Sequence, residues 1–188
     1  KHDESGILPS AFDSTNRSFH IGQGACFAVF EYMPDEAHAW LEGAYTASEP
    51  CTNQLGQRED GLGFVRAIEG AAESAGVDTY GIRTVKAHGT GTESNNKSEK
   101  AALEHCLKDF VATSFKPTIG HTMGASGLLE TCLLVDSIKT GIVPAIKNRT
   151  EEDHVYLSEP TPARDGMILS LAAGMGNVYS AAIFTMGS

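Results

Sequence analysis

Two short stretches hold the residues best suited to chemistry. KAHGTGTESNNKSE, residues 86–99, sets His88 among Gly89, Thr90, Gly91 and Thr92 and follows them with Lys97 and Glu99. KPTIGHTMGASG, residues 116–127, sets His121 between Gly120 and Thr122, with Lys116 five residues ahead and Gly124 and Gly127 behind. Neutral imidazoles can donate hydrogen bonds to an enolate or oxyanion as charge develops there. A nearby lysine can fix the protonation state of its neighbours or hold a carboxylate. Two imidazoles and one ammonium converging on a pocket therefore suit chemistry at a carbonyl. The threonine hydroxyls can serve a polar ligand arm, and the glycines let the backbone come close to it. Each histidine alone has a plainer reading, as a turn residue or a satisfied core group; the matched settings of the two carry the functional one. His2, His20, His38, His105 and His154 have no such setting and read as surface or packing groups.

The elements that must position these residues follow from periodicity. IRTVKA (82–87) and FVATSF (110–115) are short strands, each ending at a histidine stretch. Ligand sites in open α/β sheets lie outside the carboxyl ends of strands, so His88 and His121 are expected to project there. A helix from about Asn96 to Leu107, capped by Asn95 or Asn96, follows the first stretch. A helix from about Ser126 to Lys139, ended by Gly141 and kept from resuming by Pro144, follows the second. Upstream, Phe64, Val65, Ile68, Ala71, Ala72 and Ala75 recur at helical spacing until Gly76. FHIGQGACFAVFEYM (19–33) reads as a buried strand, HAWLEGAYTAS (38–48) as another and 48–61 as a loop. HVYL (154–157), MILSLA (167–172) and VYSAAIF (178–184) read as three closing strands. The order β-β-α-β-α-β-α-β-β-β predicts an α/β domain with a mixed, mostly covered sheet flanked by helices. Residues 1–188 read as one domain, irregular over 1–10.

Composition narrows the function classes. A net charge of −10 argues against nucleic acid and anionic membrane surfaces, which need basic partners. No apolar run reaches the ~18 residues of a membrane span. The four cysteines, Cys26, Cys51, Cys106 and Cys132, show no C-x-x-C spacing, so no metal or redox motif is expected. Cys26 and Cys132 sit in apolar runs and read as small buried hydrophobes, in a reducing, cytoplasmic setting. A chain starting at Lys1 without an initiator methionine is expected to be a fragment, a processed product or a trimmed chain.

VKAHGTGTESNNKSE resembles the E-A-H-G-T-G-T-x-x-x-D-x-x-E segment of β-ketoacyl synthases, and KPTIGHTMGASGLLE resembles their K-x-x-x-G-H-x-x-G-A-x-G segment. AFDSTNRSFHIGQGACFAVFE (11–31) is similar to their P-F-D-x-x-R-D-G-F-x-x-G-E-G-A strand, and SLAAGMGNVYSAAIF (170–184) is a degenerate likeness of their closing S-F-G-x-G-G-x-N strand pair. The resemblance runs over residues 11–184; thiolases share a G-H motif without H-G-T-G-T and match less well. It implies a thiolase-like fold, of which this chain would be the C-terminal half, and decarboxylative Claisen condensation. His88 and His121 would bind a malonyl thioester carbonyl, Lys116 would organise the site through hydrogen bonds, and Glu99 would anchor that network. Thr90 and Thr92, with Gly89 and Gly120, would hold or shape the channel for a pantetheine arm. The resemblance implies no metal and no bound cofactor, the substrates arriving as thioesters on the phosphopantetheine of an acyl carrier protein.

The resemblance also implies an absence. The family's nucleophilic cysteine lies in the other half, on a strand-to-helix turn, and no cysteine here sits in such a turn. The isolated chain is expected to be inactive as an acyltransferase. Its expected partners are the N-terminal half with the nucleophile, the carrier protein and a second subunit in a homo- or heterodimer. Arg17, Arg58, Arg66 and Lys147 are scattered candidates for carrier docking. Asn96 replaces the motif's Asp, Gln23 its Glu and Ser18 its Gly, and the closing segment shifts by a residue or two. These departures fit a divergent, specialised synthase. The alternative is a non-catalytic partner resembling a chain-length factor, although such partners often lose the histidines kept here.

Overall fold

The computed structural model describes residues 10–14, 19–50 and 57–187. Its elements are β1 (Ala39–Ser48), α1 (Leu62–Ala75), β2 (Ile82–Lys86), α2 (Glu93–Cys106), β3 (Val111–Thr113), α3 (Lys116–Ile119), α4 (Ser126–Lys139), β4 (Ile142–Val143), β5 (Thr161–Pro162), β6 (Met167–Gly174) and β7 (Val178–Met186). The main sheet has the order β1-β7-β6-β2-β3. β1, β7 and β6 pair antiparallel, while β6, β2 and β3 pair parallel. The sheet is therefore mixed, with its parallel part at the edge that carries both histidine stretches.

Strand alternation divides the core between the two faces. Leu169, Leu171, Ala181 and Ile183 point to the face covered by α1 and α2, where they join Phe64, Ile68 and Leu103 in one apolar cluster. Ile168 and Phe184, out of phase with them, join Leu134 of α4 in a second cluster on the opposite face. α1 fits close to the sheet because it carries small residues: a Cβ on Gly63 would meet the Tyr179 ring at 2.2 Å. Gly76 ends α1 in the left-handed region, φ 67°, with its N–H bonded to Ala72 and Glu73 carbonyls.

The long elements sit where periodicity puts them, and four expectations need correction. Residues 19–33 form no strand; Phe27, Val29 and Tyr32 are 94%, 88% and 97% exposed. Among the described residues that segment has no strand beside it to satisfy its backbone, apart from a parallel bridge between Ile21 and His121. α2 starts at Glu93, not Asn96, because Thr92 takes the extended conformation of an N-cap, φ −71° and ψ 146°, while Asn95 turns inward. Residues 154–157 make one bridge, Ala112 to Tyr156, and no ladder. Cys26 and Cys132 are half-buried rather than buried, with their sulfurs 3.7 Å apart. His20, His38, His105 and His154 are exposed. Cys51, Arg17, Ser18 and His2 lie outside the described residues. Among the described residues no helix is long and apolar enough to cross a membrane.

Candidate functional site

β2 and β3 run parallel and end together, so the turns that leave them open on the same edge of the sheet. His88 follows β2 by one residue beyond Ala87, whose N–H still bonds to Thr113 of β3 at 2.9 Å. Lys116 opens the one-turn helix α3 just after β3, and His121 follows the Gly120 that ends it. Gly120 holds φ 77°, and a Cβ there would lie 2.7 Å from the Gly22 backbone. The approach is tight because the 20–22 segment brackets His121: its N–H donates to the His20 carbonyl at 2.7 Å and its carbonyl accepts from Gly22 at 3.0 Å.

These turns bring the two imidazoles face to edge. The His88 and His121 ring centroids lie 5.7 Å apart with planes at 81°, and Phe19 lies 5.5 Å from His121. His88 is buried and His121 half-buried. Met123 donates its backbone N–H to His121 Nδ1 at 3.2 Å, and the Ser126 hydroxyl lies 3.0 Å from the same nitrogen. A nitrogen accepting from a backbone N–H carries no proton, so the neutral ring keeps its proton on Nε2. His88 Nδ1 is buried without a hydrogen-bond partner among the described residues. Burial and then the Lys116 ammonium hold both imidazoles below the usual histidine range, His88 well below it. Both are therefore neutral, and able to donate, at neutral pH.

A buried frame stands behind the rings. Glu99, on the inward face of α2, accepts the His88 N–H at 2.5 Å, the Gly89 N–H at 2.9 Å and the Asn95 amide at 2.9 Å. Burial raises the Glu99 pKa, and those three donors oppose the rise. Lys116 Nζ donates to the His88 carbonyl at 2.5 Å and to Glu130 at 2.8 and 3.1 Å. Gly89 takes φ 52°, and its carbonyl accepts the Ser114 hydroxyl at 3.0 Å. The Thr90 and Thr92 hydroxyls lie 3.2 Å from each other at the start of α2, on the rim of this frame. His88, His121, Lys116 and Glu99 are thus one connected cluster, with Gly89 and Gly120 in its turns and the threonines beside it.

Glu130 and Lys86, both fully buried, belong to the cluster and were missed from the sequence. Ser126, Glu130 and Leu134 stand four apart on the inward stripe of α4, which is the sign that could have found Glu130. Lys86 shares a strand face with Thr84 and alternates with the buried Val85, which could have marked it as an interior lysine. Burial pushes the Cys106 thiol up to about 12 and also raises that of Cys132, so neither of these two is poised as a nucleophile by its setting. Arg58, one of the docking candidates, is already engaged by Asp60, while Arg66 and Lys147 are exposed. Among the described residues no cluster of three or more His, Cys, Asp or Glu could hold a metal ion.

The family model for the C-terminal domain of beta-ketoacyl synthases matches residues 38–150. The chain belongs to the β-ketoacyl synthase family. This synthase domain is 32% identical to a putative polyketide beta-ketoacyl synthase 1 of Streptomyces cyaneus, over 93% of its own length and 44% of that relative's. It thus spans about half the length of the curated relatives it matches. Its fold is that of solved ketosynthases. The ishigamide ketosynthase/chain length factor superposes with a TM-score of 0.86 at 24% identity, over 97% of this chain and 48% of that one. A type II polyketide synthase acyl-carrier protein complex with its ketosynthase, bound to the hexaketide, gives 0.83 at 18% identity, over 99% and 49%. The synthase domain is the C-terminal half of the thiolase-like fold, and the family match begins beyond the exposed 19–33 segment.

Proposed function

We propose that this half supplies the decarboxylation machinery of a polyketide-type β-ketoacyl synthase whose nucleophilic cysteine lies in the missing N-terminal half. The observation that carries the reading is the edge-on pair of neutral imidazoles, 5.7 Å apart, with Nε2 of His121 left as a donor. His88 and His121 donate to the thioester carbonyl of a malonyl unit carried on the phosphopantetheine of an acyl carrier protein. As the carboxylate leaves as CO₂, the electron pair of the broken C–C bond passes into the enolate, whose oxygen the two N–H groups stabilise. The carbanion then attacks an acyl thioester on the partner half's cysteine; a new C–C bond forms and the cysteine leaves as thiolate. Lys116 and Glu99 hold the His88 turn by its carbonyl and N–H and touch no substrate. Thr90 and Thr92, with the close backbone at Gly89 and Gly120, line the approach of the pantetheine arm. The reaction needs no metal and no bound cofactor.

The solved ketosynthase–carrier complex supports the choice of carrier, and the relatives' double length supports the missing half. So does the apolar surface of Phe27, Val29, Phe30 and Tyr32, too exposed for a lone domain. The whole synthase, a homo- or heterodimer, would work in the cytoplasm. Retention of both imidazoles weighs against the non-catalytic, chain-length-factor-like alternative.

The test is CO₂ release from malonyl–carrier protein by the complete synthase. His88→Ala and His121→Ala are each expected to lower kcat about 10²–10³-fold, the cost of removing one oxyanion donor. Undiminished release by either variant would overturn the assignment.

A further inference from the structure

Lys86 has no part in the reaction as written, yet it sits at the centre of the site's charge. It ends β2, a strand paired on both sides, and its side chain has no exposure at all. Its ammonium donates to the Leu171 carbonyl of β6 and lies 3.6 Å from Glu130 Oε2 on α4. Glu130 is therefore shared between two ammonium groups, Lys116 from α3 at 2.8 Å and Lys86 from β2. Among the described residues the other charged group facing this space is Glu99 of α2, already occupied by three N–H donors. β3 and β6 present no charged side chain, and His20, beside His121, is exposed.

Resting on the reading above, we propose that Lys86 is a positioning residue for the imidazole pair: by sharing Glu130 with Lys116, whose ammonium bonds the His88 carbonyl, it fixes a second cation in the buried frame that carries the His88 turn. Burial and then Lys116 act on both rings first, and Lys86 adds to them in the same direction; at His121 the opposing Glu130 carboxylate outweighs Lys86, so His88 is the ring that Lys86 serves most directly. Burial drops Lys86 itself to about 8, so it is still largely protonated in the acidic range where the rings titrate. The sign follows. A lowered imidazole pKa keeps the neutral, donating form at lower pH, so removing the cation moves the acid limb of the rate profile upward.

The experiment measures CO₂ release from malonyl–carrier protein by the complete synthase between about pH 5 and 9, for wild type, Lys86→Arg, Lys86→Met and Lys86→Glu. In wild type the acid limb is expected below the ordinary histidine value of about 6.5. Arg is expected to keep it there, Met to raise it by about 0.5–1 unit, and Glu to raise it further. At a fixed pH on that limb, Met then costs about three- to tenfold in rate. Equal loss at every pH with an unmoved limb, or a wild-type limb at or above about 6.5, overturns the proposal. Histidine ring NMR titrations of wild type and Lys86→Met read the same shift without turnover. If the wild type releases no CO₂ yet the ring titrations move, the function fails and the role of Lys86 stands; if it turns over and nothing moves, the role fails alone. Should Lys86→Met not fold, the wild-type limb and the Arg and Glu variants decide.

Discussion

Glu99→Gln isolates the device that holds the His88 turn. The carboxylate takes three N–H donors on two oxygens, from His88, Gly89 and Asn95, at 2.5–2.9 Å with no exposure to water. Glutamine keeps the shape but offers one acceptor and one donor group. Its best orientation turns the carbonyl toward Gly89 and Asn95 and sets the NH₂ against the His88 N–H. Two charge-assisted bonds become neutral, losing about 1 kcal/mol each, and one buried N–H is orphaned at about 1–3 kcal/mol. Relief from burying the charge, which raises the Glu99 pKa, returns part of this. The net loss is about 2–4 kcal/mol, and it falls on the turn. Hydrogen exchange of the His88 and Gly89 amides should accelerate about 30- to 700-fold. On the proposed function, decarboxylation by the complete synthase should fall on the order of 10²-fold through misplacement of the His88 ring. Exchange within about threefold of wild type, with kcat intact, would refute the claim that this carboxylate sets the turn.

Two further outcomes follow from the same frame. Glu130→Gln leaves Lys86 and Lys116 buried without their shared anion, which should cost about 3–5 kcal/mol and lower the urea midpoint of the complete synthase by at least about 1 M; a shift under about 0.3 M would contradict it. Gly120→Ala forces a Cβ to within 2.7 Å of Gly22 at φ 77°, so it should lower Tm by more than about 2 °C, whereas Gly124→Ala, with open space around it, should not.

The sequence made the site legible where local chemistry and tertiary geometry agree. α4 runs over Ser126–Lys139 as its apolar spacing requires, and Gly76 stops α1 at the predicted residue. The convergence of His88 and His121 follows from parallel strands ending at one edge, which the alternation of strands and helices implied. What escaped depends on partners distant in the chain. An apolar run such as 19–33 announces burial but not the surface that buries it, and nothing among the described residues covers it. The start of α2 turned on whether Asn95 caps the helix or serves Glu99; the buried carboxylate took it. Lys86 and Glu130 carry residue types expected at the surface, and the interior tolerates them because Glu130 is paired with both Lys86 and Lys116 and Lys86 also donates to the Leu171 carbonyl.

The bond from the Lys116 ammonium to the carbonyl of His88 joins two loops by a strut. Loop one cannot drift without dragging the pivot of loop two, since Gly120 hangs directly from the Lys116 carbonyl. Anyone reshaping this site would find the two turns behaving as a single casting, to be altered together.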